Sequence, residues 1–205
     1  IPYTIVRPGV TYDNTRIPFR LMPPYSYHWT IVERIKNKKP LIIWNDGQNA
    51  VTILRVEDFA VGLVGLFNNS KSFNEKFNIT GDERYHWKEI LDTLGEIVGT
   101  KVTYQDLPIE FVAKQIPNRK GEILVGGSDG YDLIYDNTKI KNVVPDFKTT
   151  IFLKEGLKKT VEHYKNNNYL NGIDYSFDAD MDRIICNYHS NKPIVLKKSE
   201  LKYID

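Results

Sequence analysis

Asp178, Asp180 and Asp182 alternate with other residues as at the start of a calcium loop, where a hard dication gathers carboxylate oxygens. The pattern then fails, with Arg183 where the sharp turn needs glycine and His189 where the bidentate glutamate belongs. His28, His86, His163 and His189 show no metal-ligand spacing, so solvated or packed roles are expected for them. The single Cys186 excludes an internal disulfide and a cysteine-based zinc site, and it suits a reducing compartment. Glycines at 62, 65, 126 and 127 lie outside any G-x-G-x-x-G pattern between a strand and a helix, so no backbone cradle for a pyrophosphate is written here. No metal site is expected and no residue is assigned a catalytic role.

The elements that would position a site alternate between strand and helix. Tyr3 to Val6 is strand-like and runs into the Pro8-Gly9 turn, followed by a long irregular connection through DNTRIP and MPPY. Ser26 to Lys38 reads as a helix with a basic end, Leu41 to Trp44 as a short buried strand, and Asn45-Asp46-Gly47 as a turn. Val51 to Val56 is β-branched. Asp58 is placed to cap the next helix, whose apolar residues on most sides predict burial between layers. Lys76 to Thr80 and Val102 to Gln105 are further strands. Trp87, Ile90, Leu91, Leu94, Ile97 and Val98 recur at helical spacing before Gly99. A short helix over Ile109 to Lys114 leads to the GGSDG loop, and an amphipathic helix closes the fold through Phe152, Leu157, Val161 and Tyr164. This order predicts an α/β fold. Residues 1–172 form the main unit and 173–205, polar with a few apolar pairs, an appendage.

Over 205 residues, 41% hydrophobic, 12% aromatic and 26% charged content fits a globular chain with a sizeable core. Twenty-eight basic against 26 acidic residues give a net charge of +2 with no long basic block, so charge does not single out a partner. No apolar run approaches a membrane span and no charged-apolar-small leader opens the chain, which makes a cytoplasmic protein the expectation.

Taken together, YTIVRPGVTYDNTRIPF, NDGQNAVTILRVEDFAVGLVGLF, FNITGDERYHWKEI, YDNTKIKNVVPDF and LKEGLKKTVEHY resemble, in order and spacing over 1–182, the C-terminal half of an NAD-dependent epimerase/dehydratase of the extended short-chain dehydrogenase/reductase family. The resemblance implies the last strands of a Rossmann-like parallel sheet plus a small α/β substrate-binding domain. The strand at Tyr3 then resembles the family's sixth, and the first five belong to an N-terminal half outside this chain. That half supplies NAD or NADP binding and a Tyr-x-x-x-Lys pair; this segment alone is expected to bind no cofactor and to be inactive. Tyr135 and Lys139 match the Tyr-x-x-x-Lys spacing literally, but the stretch reads as a strand end passing through an Asp-Asn cap into a helix.

Residue by residue, the resemblance implies that Pro8, Gly9 and Val10 border the nicotinamide end of the pocket and that Tyr12 begins the substrate loop. Val10 replaces the family asparagine that bonds a sugar nucleotide. Trp44 ends the strand that commonly holds the nucleobase and offers an indole face for stacking. Val51 stands where the family places an arginine on the substrate diphosphate, and a second such arginine is not found between Leu124 and Leu133. Arg16 and Arg55 are the candidates to replace them, each equally suited to ordinary ion pairing. The implied substrate is a sugar or sugar-like alcohol. A homodimer, an RNA-associated protein and a scaffold on the same fold stay open, the RNA reading requiring Lys36, Lys38, Lys39, Lys197 and Lys198 to gather on one face.

Overall fold

Strand pairing across long sequence separations organises the chain. The computed structural model describes residues 1–116 and 131–190. Strands β1 (Thr4–Pro8), β2 (Val10–Tyr12), β3 (Leu41–Ile43), β4 (Ala50–Arg55), β5 (Glu75–Ile79), β6 (Arg84–His86) and β7 (Tyr104–Asp106) alternate with helices α1 (Trp29–Lys36), α2 (Val56–Val64), α3 (Trp87–Val98), α4 (Ile109–Gln115), α5 (Thr138–Val143), α6 (Leu153–Asn166) and α7 (Tyr175–Ser190). β1 lies parallel to β5, β2 to β4 with Tyr12 opposite Arg55, and β3 to β7 with Ile43 opposite Asp106. β6, a strand the sequence reading did not anticipate, runs antiparallel to β4 and sets Tyr85 opposite Val51. Among the described residues no helix is long and apolar enough to cross a membrane.

Between β1 and β2 the chain changes partners, leaving β5 for β4. The Gly9 N–H still donates to the Ile79 carbonyl at 3.0 Å, and a Cβ at Gly9 would fall 2.5 Å from Thr80 Oγ1. Packing against Thr80 therefore requires this glycine.

The main core forms where the periodic helices meet the strands. α3 buries Trp87, Ile90, Leu91 and Leu94; its first turn is closed by Glu89 Oε2, which accepts the His86 N–H at 2.6 Å, and Gly99 ends it in the left-handed region at φ 73°. α6 adds Leu153, Leu157, Val161 and Tyr164 to the same core. So does α7, through Phe177, Met181 and Ile184, inside the stretch expected as an appendage. Asp178 and Asp182, the supposed start of a calcium loop, lie one turn apart on α7 and grip two cations. Arg34 reaches them at 2.6 and 2.9 Å and Lys39 at 2.6 and 2.8 Å.

The expectation for α2 is corrected. Only Asp58 and Gly62 are buried, while Val56, Val61, Val64 and the following Phe67 are exposed, because packing onto Phe77, Ile79 and Phe147 of a second, smaller core covers one side of the helix. Nor does Asp58 cap it. Arg55 holds the cap position, and the Asp58 carboxylate instead accepts the N–H groups of Thr150 and Ile151 at 2.9 and 3.1 Å, fastening the approach to α6. Tyr3 and Ile5 are likewise exposed, and among the described residues β1 has a strand neighbour on one side only.

Candidate functional site

Three-residue strands such as β3 and β7 stop early, and their carboxyl ends open a cleft in the position where parallel sheets commonly take ligands. The Leu107 N–H donates to the Ile43 carbonyl at 2.9 Å, which sets Trp44 and Asn45 beside Asp106. Asn45 and Asp46 both adopt left-handed backbone, with φ of 52° and 50°, so the chain turns sharply away after Trp44. The resulting cavity measures 410 Å³ and is lined by Trp44, Asn45, Asp106, Leu107, Glu110 and Tyr188 among others. α7 supplies Tyr188, whose ring packs edge-on against Phe111 of α4 at 5.2 Å. Burial holds the Asp106 carboxyl above the ordinary aspartate value, opposed by the Asp46 backbone N–H that it accepts and assisted by the neighbouring Asp46 carboxyl. Indole and phenol walls with carboxylate and amide edges suit a small polyhydroxy ligand, whose C–H faces stack and whose hydroxyls donate.

Of the residues named from sequence, Trp44 is in this cleft. It is 7% exposed, and its other flank faces Arg20, whose guanidinium carbon lies 5.8 Å from the Trp44 ring and 6.0 Å from that of Trp87. Arg16 lies elsewhere, in the loop before α1, with its guanidinium carbon 5.7 Å from the Tyr25 ring.

Tyr12 and Arg55 meet each other but face the interior. Arg55 is fully buried, its guanidinium carbon 5.2 Å from the Tyr12 ring; it donates to Glu57 at 2.9 and 2.5 Å, to Asn14 Oδ1 at 2.8 Å and to Thr160 Oγ1 at 3.4 Å. Burial pushes the Tyr12 phenol well above its usual value. A Cβ at Gly156 would sit 2.1 Å from the Tyr12 hydroxyl. With 2% and 0% of their surface exposed, Tyr12 and Arg55 knot β2, β4 and α6 together and leave no face for a ligand. Pro8, Gly9 and Val10 lie at the junction of β1 and β2, where Gly9 is already engaged by Ile79 and Thr80. Val51, in the place of the diphosphate arginine, is a core side chain with no exposure.

The Tyr135–Lys139 spacing resolves as a turn into a helix, with no strand immediately before it among the described residues and no side-chain cap bond from Asn137 at the cap position. The Asp136 carboxylate accepts the Thr138 N–H at 3.1 Å, α5 begins at Thr138, and Lys139 turns to Glu75 at 2.5 Å and over the Phe77 ring at 4.9 Å. The phenol precedes the helix that carries the lysine. Lys36 pairs with Glu33 at 3.3 Å and Lys39 with the α7 carboxylates. Lys197, Lys198 and the GGSDG loop lie outside the described residues.

Asn45, Asp106, Glu110 and Tyr188 were missed in the sequence because each is ordinary in its own segment. Trp44 at a strand end was the one local signal. Finding the others required the pairing of β3 with β7, Leu41 opposite Tyr104, and the docking of α7.

No protein-family model matches the sequence, and no curated protein matches it either. Solved structures do. UDP-glucuronic acid 4-epimerase from Bacillus cereus, in complex with UDP-glucuronic acid and NAD, is similar at a TM-score of 0.59 and 22% identity over 81% of this chain and 46% of that one. UDP-glucose 4-epimerase from Thermotoga maritima, with UDP-glucose, gives 0.58 and 23% over 82% and 47%. dTDP-glucose 4,6-dehydratase from Bacillus anthracis, in complex with NAD, gives 0.56 and 19% over 81% and 46%. The chain thus spans less than half the length of each. Likeness at this level of identity shows the fold: mixed α/β with parallel strands and seven described helices, in a Rossmann-like arrangement.

Proposed function

We propose that this chain is the substrate-binding portion of an NAD(P)-dependent epimerase/dehydratase-like enzyme acting on a sugar or sugar-like alcohol held in the Trp44 cleft. The observation that carries the reading is the match of four-fifths of the chain to less than half of enzymes named as sugar-nucleotide epimerases and dehydratases. A nucleotide-binding half supplied by preceding residues would extend the sheet across the open side of β1 and cover Tyr3, Ile5, Val61, Val64 and Phe67, an apolar surface that is costly to leave in water. In that assembly NAD(P) supplies hydride transfer, and this chain contributes only Pro8, Gly9 and Val10 at its border. The buried Val51 supports a substrate without a nucleoside diphosphate, since no guanidinium clamp is provided at that position.

The test has two parts. Residues encoded upstream of Ile1 should include a Gly-rich turn after a strand and a Tyr-x-x-x-Lys pair; an upstream region with neither overturns the reading. Thermal shift of the full-length enzyme with NAD present should then rank simple sugars and hydroxy-ketones above UDP- or dTDP-sugars, and the reverse order refutes the substrate class.

A further inference from the structure

α7 supplies a wall of the Trp44 cleft that the rest of the fold does not. Among the described lining residues Tyr188 alone belongs to α7, and the others stand at the ends of β3 and β7 and the start of α4. Apolar burial holds this helix lightly: of its 16 residues, Phe177, Met181 and Ile184 are buried. The rest of its hold is largely polar and falls in two places. Near its start, Asp178 and Asp182 engage Arg34 and Lys39 at 2.6 to 2.9 Å. Near its end, Arg183 and Asn187 donate to Gln115 Oε1 at 3.2 and 3.0 Å, and His189 Nε2 lies 2.9 Å from Gln105 Oε1. Gln115 and Gln105 belong to α4 and β7, the elements that also carry Glu110 and Asp106. The connection from α6 turns through Asn168, Tyr169 and Leu170, all in left-handed backbone at φ 51°, 59° and 54°. Three such residues in a row are kept only while the packing on either side holds them. A helix with few buried apolar side chains and partly exposed polar tethers belongs to the low end of local stability. At 1.5 Å per residue, Tyr188 lies about 15 Å along the helix from Asp178, so the anchor is remote from the wall.

We infer that α7 is a ligand-coupled clamp: a polyhydroxy ligand seated between Trp44 and Tyr188 holds the helix docked. This rests on the reading of the cleft as a sugar site. Tyr188 is in the wall only while α7 is docked, so a ligand that packs on its ring binds the docked state better than the released one. That difference is what shifts the balance between the two. The coupling is reciprocal. Loosening the Asp178 and Asp182 anchor, which is not among the described lining of the cleft, favours the released helix and so weakens the ligand.

Hydrogen exchange of the 205-residue chain, read by mass spectrometry with glucose, galactose or sorbitol present, tests it once calorimetry has given each dissociation constant. At about ten times that constant, exchange of the α7 amides should slow about tenfold, the factor by which the ligand opposes opening. With Asp178→Asn and Asp182→Asn combined, α7 should exchange faster and the ligand should slow it again. Should that pair of changes prevent folding, Gln115→Ala, which removes the tether at the other end, is read in the same way. Tyr188→Ala should abolish the effect in α7 while amides next to Trp44 still respond. Saturable binding that leaves α7 exchange unchanged overturns the clamp and leaves the sugar site standing. Protection of α7 that survives Tyr188→Ala also overturns it, since the ligand then acts by another route. No saturable binding of any of the three overturns the sugar site and this inference with it.

Discussion

Acidification should destabilise this protein through one histidine. His28 is 1% exposed, and its Nδ1 accepts the Ile17 N–H at 2.9 Å, so the ring helps hold the long loop before α1. Burial, followed by the nearby Arg16 charge, lowers its pKa from 6.5 to about 4. Protonation would also turn Nδ1 into a donor facing another donor. The sign follows from comparing states. Below 6.5 the unfolded chain takes up a proton that the folded chain refuses, so stability is full above that value, falls as the pH drops towards 4, and levels off below it. The separation of about 2.5 in pKa, at about 1.4 kcal/mol per unit, amounts to about 3 kcal/mol. At about 2–4 °C per kcal/mol for a chain of this size, the melting temperature should fall by about 6–12 °C between pH 7 and pH 4 from this group alone. Carboxylates titrate near the lower end of that window, so the measurement is a difference: melts across the range for the natural chain and for His28→Asn, which starts less stable but lacks this component of the slope. Parallel pH profiles for the two, or an imidazole NMR titration for His28 near 6.5, would refute the reasoning.

Gly81→Ala should destabilise by at least about 1–3 kcal/mol in urea melts, because its Cβ would fall 2.0 Å from the Ile53 carbonyl oxygen, a backbone atom that has little room to retreat; an unchanged midpoint counts against the packing described. Asp178→Asn combined with Asp182→Asn should cost about 3–5 kcal/mol and raise hydrogen exchange in α7, since buried Arg34 loses both carboxylate partners; protection in α7 equal to that of the natural chain would contradict its pinning. Arg55→Ala should lower stability by about 2–4 kcal/mol while leaving sugar affinity at the Trp44 cleft intact, and a selective loss of binding with unchanged stability would return Arg55 to the ligand site.

Local pattern determined a good deal by itself. The 3.6-residue recurrence from Trp87 to Val98 with Gly99 at its end, the amphipathic stretch over α6, and the β-branched run of β4 were legible because each carries its own signal, in apolar period, cap or propensity. The Asp136 turn into α5 was legible for the same reason. What a charged or amphipathic side chain does with its reach was not. Asp178 and Asp182, whose spacing begins a calcium loop that the following residues break, are ion-pair partners in space; Arg55, open in sequence between a ligand contact and an ordinary ion pair, is a buried strut beneath α6. α2 has an apolar composition without a helix-packing partner on every side, and composition alone does not say which partners exist. The cleft itself needed the pairing of β3 with β7 and the docking of α7, contacts between segments far apart in the chain. Secondary structure is encoded by near neighbours, whereas a site is a meeting of strand ends and helix faces whose coincidence only the folded backbone sets.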